Sequence, residues 1–139
     1  MMTTKTALTA SKLAEIIRPV PVVLDRRTCR QALRTMFEHP ESKCLVLCNA
    51  VGEPVGLLMS EKFLLAATGR GETDSFYKEP VMKLAHVRPL IVDISSAPRK
   101  VLAMALGRNP MDWNDAIIVT DGGKLAGVVY VSDLHALRP

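Results

Sequence analysis

Side chains that could bind a metal ion or act as nucleophiles are few in this chain and widely spaced. Cys44 and Cys48 lie four residues apart in an apolar run, so both would point to the same face of a strand. A zinc site would need two further ligands close by, and no C-x-x-C pair or paired histidines accompany them. His39, His86 and His135 are scattered and lack the i, i+4 spacing of a helical metal site. We therefore expect small buried cysteines, surface histidines on loops and helix ends, and no bound metal.

The chain also lacks the short motifs on which catalysis depends. It has no G-x-S-x-G nucleophile motif, no glycine-rich phosphate loop before Lys and Ser or Thr, and no H-E-x-x-H. The pair Gly122 and Gly123 follows Asp121 between two apolar runs, which is typical of a hairpin turn. The sequence therefore predicts that the protein is not an enzyme and has neither catalytic residues nor a resident cofactor.

A basic stripe is the other chemical feature of the first half. Arg27, Arg30 and Arg34 recur at helical spacing, and Arg26 extends them. The whole chain carries a formal net charge of only +4, so its charge alone does not argue for nucleic acid as a partner. We favour a solvated outer helix face. The alternative is a docking surface for RNA, DNA or an acidic partner.

The bulk composition indicates about one domain with an aliphatic core. The chain has 139 residues, of which 48% are hydrophobic and only 4% aromatic. No apolar run reaches the roughly 18 residues that a membrane span needs, and the segment from Met1 to Lys5 leads into no signal-peptide core. Three cysteines without a secretory signal favour a reduced, cytoplasmic setting over a disulfide scaffold. We therefore expect a cytoplasmic protein with no membrane partner.

The elements that must position these residues occur twice. Residues 46–59 read as strand, tight turn and strand, and residues 117–130 repeat this pattern, each copy being followed by a short apolar helix. The offset between the copies drifts from 68 to 71, the value at Gly56 and Gly127. One copy of about 60 residues is marginal by itself, whereas two copies packed face to face would bury their sheets. The sequence predicts an α/β (α+β) tandem repeat, with a first repeat over 10–69, a polar linker loop over 70–79 and a second repeat over 80–139.

Within each repeat the pattern predicts β-α-β-β-α with a short helix in front. Thr28 and Gln31 form a capping-box signature for a helix whose apolar face would hold Cys29, Leu33, Met36 and Phe37. Ser60, Ser96 and Ser132 are expected to open three later helices. The predicted helices cover 10–17, 28–39, 60–68, 80–85, 96–106 and 132–137, and the predicted strands cover 20–24, 44–49, 54–59, 90–92, 116–120 and 125–130.

One segment of the second repeat carries a specific pattern. Residues 115–134 read DAIIVTDGGKLAGVVYVSDL, with glycine at 127 and aspartate at 133. This segment resembles the CBS-domain family, and residues 76–81 followed by 89–93 are similar to CBS pairs attached to bacterial cyclic-di-GMP enzymes. The resemblance covers about Leu13 to Leu137. It implies a tandem CBS pair, or Bateman module, which is a regulatory unit that often dimerises. Many such pairs bind AMP, ADP, ATP or S-adenosylmethionine in the cleft between the copies.

The resemblance also implies one ligand site, in the second repeat. The family's aspartate at the start of the final helix accepts hydrogen bonds from the ribose hydroxyls, and Asp133 occupies that position. An ionised carboxylate has two acceptor oxygens, which suits a vicinal diol. Arg88 would meet a phosphate. Without a ligand, Asp133 would simply be an acidic residue stabilised at a helix N-terminus. The remaining residues implied for the cleft are Pro89, Leu90, Ile91, Ala116, Ile117, Tyr130 and Ser132.

This chain departs from the family pattern in both repeats. Tyr130 stands where the family favours Ser or Thr, so its phenol would either donate to the ligand or fill the pocket. The first repeat has Met59 and Lys62 at the matching positions. Lysine has donors and no acceptor, so it cannot serve a ribose diol. We therefore expect at most one adenosine ligand per chain, with a first-repeat site that is inactive or reads an anion.

Three functional hypotheses follow from these features. The leading one is a homodimeric regulatory pair that senses an adenosine-type ligand and passes its state to an effector protein or domain. The second is a ligand-free module for dimerisation or protein docking, in which Tyr130 and its neighbours fill the cleft. The third and weakest is nucleic-acid binding through the arginine stripe, which predicts a steep dependence on salt. Trp113, in a polar stretch, would be a lid or a dimer contact.

Overall fold

The computed structural model describes residues 12–69 and 73–137, which form two compact units. One unit, Val20–Pro89, is continuous in sequence and is called the continuous unit below. The other joins the segment up to Pro19 to the segment from Leu90 onward and is called the split unit. Each unit contains one three-stranded sheet. Within the described ranges, no helix is long and apolar enough to cross a membrane.

The elements alternate along the chain in nearly the predicted order, and we number them in that order. The helices are α1 (Lys12–Ile16), α2 (Cys29–Glu38), α3 (Ser60–Thr68), α4 (Thr73–Lys78), α5 (Pro98–Leu106) and α6 (Val131–Ala136). The strands are β1 (Val22–Leu24), β2 (Cys44–Cys48), β3 (Pro54–Met59), β4 (Ile91–Asp93), β5 (Ile117–Asp121) and β6 (Lys124–Val129). Short 3₁₀ turns lie at Val81–Lys83 and Pro110–Asp112.

The sheet of the continuous unit is mixed. Strand β2 lies in the centre, parallel to β1 and antiparallel to β3. All five residues of β2 are buried, which explains why this strand reads as an unbroken apolar run rather than an alternating one. Its core also holds Phe63 and Phe76, whose ring centroids are 5.4 Å apart. Cys29, Cys44 and Cys48 are buried, as the sequence predicted, and each is a free cysteine.

The capping box predicted for α2 is confirmed. The Thr28 hydroxyl accepts a hydrogen bond from the Gln31 backbone N–H, and the Gln31 side chain accepts one from the Thr28 backbone N–H. The apolar face is only partly as predicted, because Phe37 is 72% exposed and the buried residues are Cys29, Ala32 and Met36. The expected stripe therefore ends one residue before Phe37.

The split unit repeats this sheet with a segment taken from the other end of the sequence. Strand β5 lies in the centre, parallel to β4 and antiparallel to β6. The helix α1 buries Leu13 against the core residues of this unit, which include Val101, Ile117 and Val129. After α1, Arg18 pairs with Val128 as an isolated antiparallel bridge. Residues 13–18 therefore pack and pair with the second repeat's sheet, although they lie far from it in sequence.

The structure corrects several sequence-based expectations. The segment predicted as a linker loop over 70–79 contains the helix α4, because Phe76 supplies an apolar residue that is 2% exposed. The expected serine caps of α3, α5 and α6 are wrong as well. The cap positions are held by Met59, Ala97 and Tyr130, which make no side-chain cap bond. Pro98 at the first turn of α5 explains its later start. The predictions for residues 10–11, 70–72 and 138–139 lie outside the described residues.

Candidate ligand site

The candidate site lies at one edge of the split unit's sheet. Strands β4 and β5 run parallel, so both begin at this edge, whereas the antiparallel β6 ends there. The register pairs Ile117 with Val129, which places Ala116 opposite Tyr130 one step further. Because α6 starts directly after Tyr130, its first-turn residues Ser132 and Asp133 project from the same edge. Both strand starts and the final helix therefore meet where the sequence predicted a ligand.

A fixed backbone brings a further residue, Arg18, to this edge. Its N–H donates to the Val128 carbonyl at 2.8 Å, and the Val128 N–H donates back to the Arg18 carbonyl at 3.0 Å. Gly127 allows this approach, because a Cβ there would lie 2.5 Å from the Arg18 carbonyl oxygen. Gly127 also has φ +156°, which favours glycine. The Arg18 backbone is therefore held against β6, and its side chain extends from there.

The Arg18 guanidinium binds the carboxylate of Asp133, which the family resemblance predicts to bind a ribose. Its Nε donates to Asp133 Oδ2 at 2.8 Å, and its Nη2 donates to Oδ1 at 3.3 Å. The guanidinium carbon also lies 5.3 Å from the centroid of the Tyr130 ring, within the range of a cation–π contact. The hydrogen bond to Asp133, reinforced by the negative charge of that carboxylate, raises the pKa of Arg18 above its usual value. The Asp133 side chain is 24% exposed and the Arg18 side chain 54%.

The predicted site residues divide between the two units. Leu90 accepts a hydrogen bond from the Ile118 N–H at 3.0 Å, and Ile91 pairs with Ile118 in the register of β4 and β5. With the fully buried Ala116 and Ile117 and with Tyr130, Ser132 and Asp133, these two residues belong to the split unit. Arg88, which is exposed, and Pro89 belong to the continuous unit. Their part in a ligand site stays a prediction.

The equivalent position in the first repeat has different chemistry. In the continuous unit, His86 pairs with Leu57 as Arg18 pairs with Val128 in the split unit. The repeat offset places Lys62 at the position of Asp133. The acid–base pair of the second repeat is therefore replaced by His86 and Lys62, and the inactivity of the first repeat toward a ribose diol stays a prediction.

The loop before β5 is held together by a second arginine. Arg108 donates to the carbonyls of Ala105 at 3.0 Å, Asp115 at 3.0 Å and Trp113 at 3.3 Å. Burial lowers the pKa of Arg108, and the charges of Asp115 and Asp112 oppose that effect. The Trp113 indole N–H donates to the Arg108 carbonyl at 2.9 Å, and the residue is 44% exposed. Trp113 is therefore tied to its own loop; neither role predicted for it is tested.

The arginine stripe lies on an open surface of the continuous unit. Arg27 and Arg34, with Gln31 and Thr35, face β1 across a groove of about 340 Å³. Arg30 instead places its guanidinium carbon 5.3 Å from the centroid of the Tyr77 ring. All four arginines are exposed, as a solvated helix face would have them.

Comparison with known proteins shows what the whole chain resembles. No family model and no curated protein sequence matches it. Among solved structures, the CBS-domain containing protein ATU1752 from Agrobacterium tumefaciens matches with a TM-score of 0.68 at 17% identity. That match covers 91% of this chain and 95% of the other. The chain has the fold of a CBS-domain pair.

Two further CBS-fold neighbours were solved with adenine nucleotides. CBSX2 in complex with AMP matches with a TM-score of 0.66 at 18% identity, covering 89% of this chain and 93% of that one. The cytosolic domain of the Mg²⁺ channel MgtE in complex with ATP has a TM-score of 0.69 at 17% identity and covers 96% of this chain and 55% of that one. The family resemblance inferred from residues 115–134 is thus confirmed at the level of fold.

Sequence reasoning missed Arg18 as a member of this site. Its position before Pro19 indicated only the end of a helix. The internal repeat offered a signal for the segment around Arg18, because a short helix precedes the strands in both repeats. That signal does not say which sheet the segment joins, and the pairing with Val128 lies far away in sequence.

Proposed function

We propose that this CBS pair is a non-catalytic regulatory module that binds an adenosine-containing ligand at Asp133. The ligand would be AMP, ADP, ATP or S-adenosylmethionine, with one bound per chain. Its ribose would be recognised by Asp133 and its base would lie along the strand starts at Leu90, Ile91 and Ile117. An effector protein or domain would read the change.

The observation that carries this proposal is the way Asp133 already binds two neighbouring donors. The Nε and Nη2 groups of Arg18 each reach a different carboxylate oxygen. Two adjacent hydroxyls of a ribose present donors in a similar side-by-side arrangement, and an acceptor-only carboxylate suits either pair. The fold neighbours with AMP and ATP support adenine nucleotides as the ligand class.

Regulation by such a ligand requires a difference in affinity between two states of the protein. The Arg18–Asp133 pair connects the segment after α1 to the start of α6. A ligand that binds Asp133 removes this connection and favours any state in which the Arg18 side chain has left the carboxylate. The ligand shifts the equilibrium only as far as its affinities for the two states differ.

The experiment is a calorimetric titration with AMP, ATP and S-adenosylmethionine. Asp133→Asn keeps the size of the side chain but replaces one acceptor oxygen by a donor. The proposal predicts saturable binding at about one ligand per chain that Asp133→Asn abolishes. The matched control is Lys62→Ala at the equivalent first-repeat position, which should leave binding unchanged. Absence of heat for all three ligands at high concentration would refute the proposal.

A second candidate function is favoured by the same ion pair. Asp133 is already paired and Tyr130 is covered by a cation, so the cluster could act as a structural connection in a homodimerisation or protein-docking module. Sedimentation of the wild-type chain with and without AMP separates the two. A docking module is the same size under both conditions, whereas a sensor whose dimer tightens on binding is not.

A further inference from the structure

The carboxylate of Asp133 binds a cation that any ribose must displace. Both oxygens of Asp133 accept hydrogen bonds from Arg18, at 2.8 and 3.3 Å. A ribose diol needs the same two oxygens, so the ribose and the guanidinium are mutually exclusive partners. Under the proposed function, a ribose that binds Asp133 leaves Arg18 without this partner, and ligands differ in whether they supply another one.

Arg18 can change partner without moving its backbone. Two hydrogen bonds hold that backbone to Val128, and the close approach to Gly127 leaves it no room to shift toward β6. The side chain is 54% exposed and makes its other contact with the face of Tyr130. A guanidinium that leaves Asp133 therefore stays within the length of its own side chain of the bound ribose. It is a fork of donors that matches a phosphate as well as a carboxylate.

We propose that Arg18 makes this site selective for phosphorylated nucleotides over nucleosides and S-adenosylmethionine. On binding, the ribose takes Asp133 from Arg18, and the ligand's phosphate supplies Arg18 with a new anionic partner. A nucleoside breaks the ion pair and offers no replacement. S-adenosylmethionine has one carboxylate, but its ammonium and sulfonium groups make it a net cation, which is disfavoured beside a released guanidinium.

The test compares adenosine with AMP, which differ only by the phosphate. The wild-type chain is expected to bind AMP at least about tenfold more tightly than adenosine, the scale of one charge-assisted contact. Arg18→Met keeps the apolar stem and removes the charge. It should tighten adenosine binding, because the competitor for Asp133 is gone, and should reduce the preference for AMP to about twofold or less. Arg18→Lys should keep part of the preference, as a point charge lacks the fork.

Controls separate the selectivity from charge and folding. Arg99→Met removes one exposed arginine of the same unit and should leave the AMP-to-adenosine ratio at its wild-type value. Circular dichroism spectra of all variants check that they fold, and Arg18→Lys carries the test if Arg18→Met does not. Equal wild-type affinities for adenosine and AMP, or a preference for AMP that Arg18→Met leaves intact, would overturn this inference alone. Absence of binding of either compound to both wild type and Arg18→Met would overturn the proposed function itself.

Discussion

The glycine at position 127 is expected to be one of the most sensitive residues of the split unit. In Gly127→Ala, the new Cβ would lie 2.5 Å from the Arg18 carbonyl oxygen and 2.9 Å from Ile17 Cγ1. Ordinary contacts begin near 3.4 Å, so the segment from Ile17 to Arg18 must retreat by almost an ångström. That retreat breaks the two backbone hydrogen bonds with Val128, each contributing about 1 kcal/mol. Backbone strain at φ +156° adds about 1 kcal/mol, for a total of about 3 kcal/mol.

The internal repeat supplies a matched control for this substitution. Gly56 is the first-repeat equivalent, yet a Cβ there meets Leu47, Ala85 and His86 at 3.4–3.5 Å, which is ordinary contact. Gly56→Ala is therefore expected to change the free energy of unfolding by about 1 kcal/mol or less. The assay is urea unfolding followed by circular dichroism, with melting temperature as a second readout. Gly127→Ala should melt about 10 °C lower than wild type. If it unfolds within 1 kcal/mol of Gly56→Ala, the argument from close approach is refuted.

Three smaller predictions concern other parts of the fold. Phe76→Ala should lower the free energy of unfolding by about 3 kcal/mol because the ring is buried. Phe37→Ala, at an exposed position, should change it by less than about 0.5 kcal/mol in the same urea assay. Equal effects of the two substitutions would contradict the assigned burial. Hydrogen bonds from the Ser95 hydroxyl and N–H lower the pKa of Asp93 below its usual value of about 3.9. The ionised group therefore stabilises the fold above that pH, so Asp93→Asn should be less stable near pH 7. This difference should close as the pH falls through the lowered pKa, and a pH-independent difference would refute the argument. Burial, with a smaller contribution from a neighbouring carboxylate, raises the pKa of the Cys48 thiol, and Cys29 and Cys44 are buried as well. All three thiols should therefore react with a disulfide reagent only on unfolding, and fast labelling of the native protein would contradict this.

The sequence was sufficient where a local pattern determines a local structure. The strands at 44–48 and 54–59 follow from apolar runs separated by a turn, and the capping box at Thr28 follows from two residues three apart. The internal repeat then indicated the family resemblance, and the comparison with solved structures confirms that resemblance at the level of fold. Each of these inferences uses residues that are close in the chain.

The remainder could not be predicted because it depends on contacts distant in sequence. Helix α4 was missed since Thr73–Lys78 is polar apart from two aromatic residues, and only the packing of Phe76 against Phe63 shows why it folds. Arg18 was missed since its partner Asp133 lies 115 residues away. The serine caps were wrong because α3 begins at Ser60 itself and α5 begins at Pro98. The extended cap positions are therefore held by Met59 and Ala97. A residue's type predicted its chemistry but not the partner it would meet.

The divided sequence of the split unit has a consequence for the order in which this protein can be made. Ribosomal synthesis produces α1 before the sheet that buries Leu13 and pairs with Arg18, and that sheet is complete only after β6 has emerged. The continuous unit has all three of its strands within one uninterrupted stretch and can fold during that interval. The apolar face of α1 therefore remains uncovered by its own sheet until β4, β5 and β6 have been synthesised. A nascent chain interrupted before α6 would contain Arg18 without Asp133, so the ion pair between them forms only after α6 has emerged.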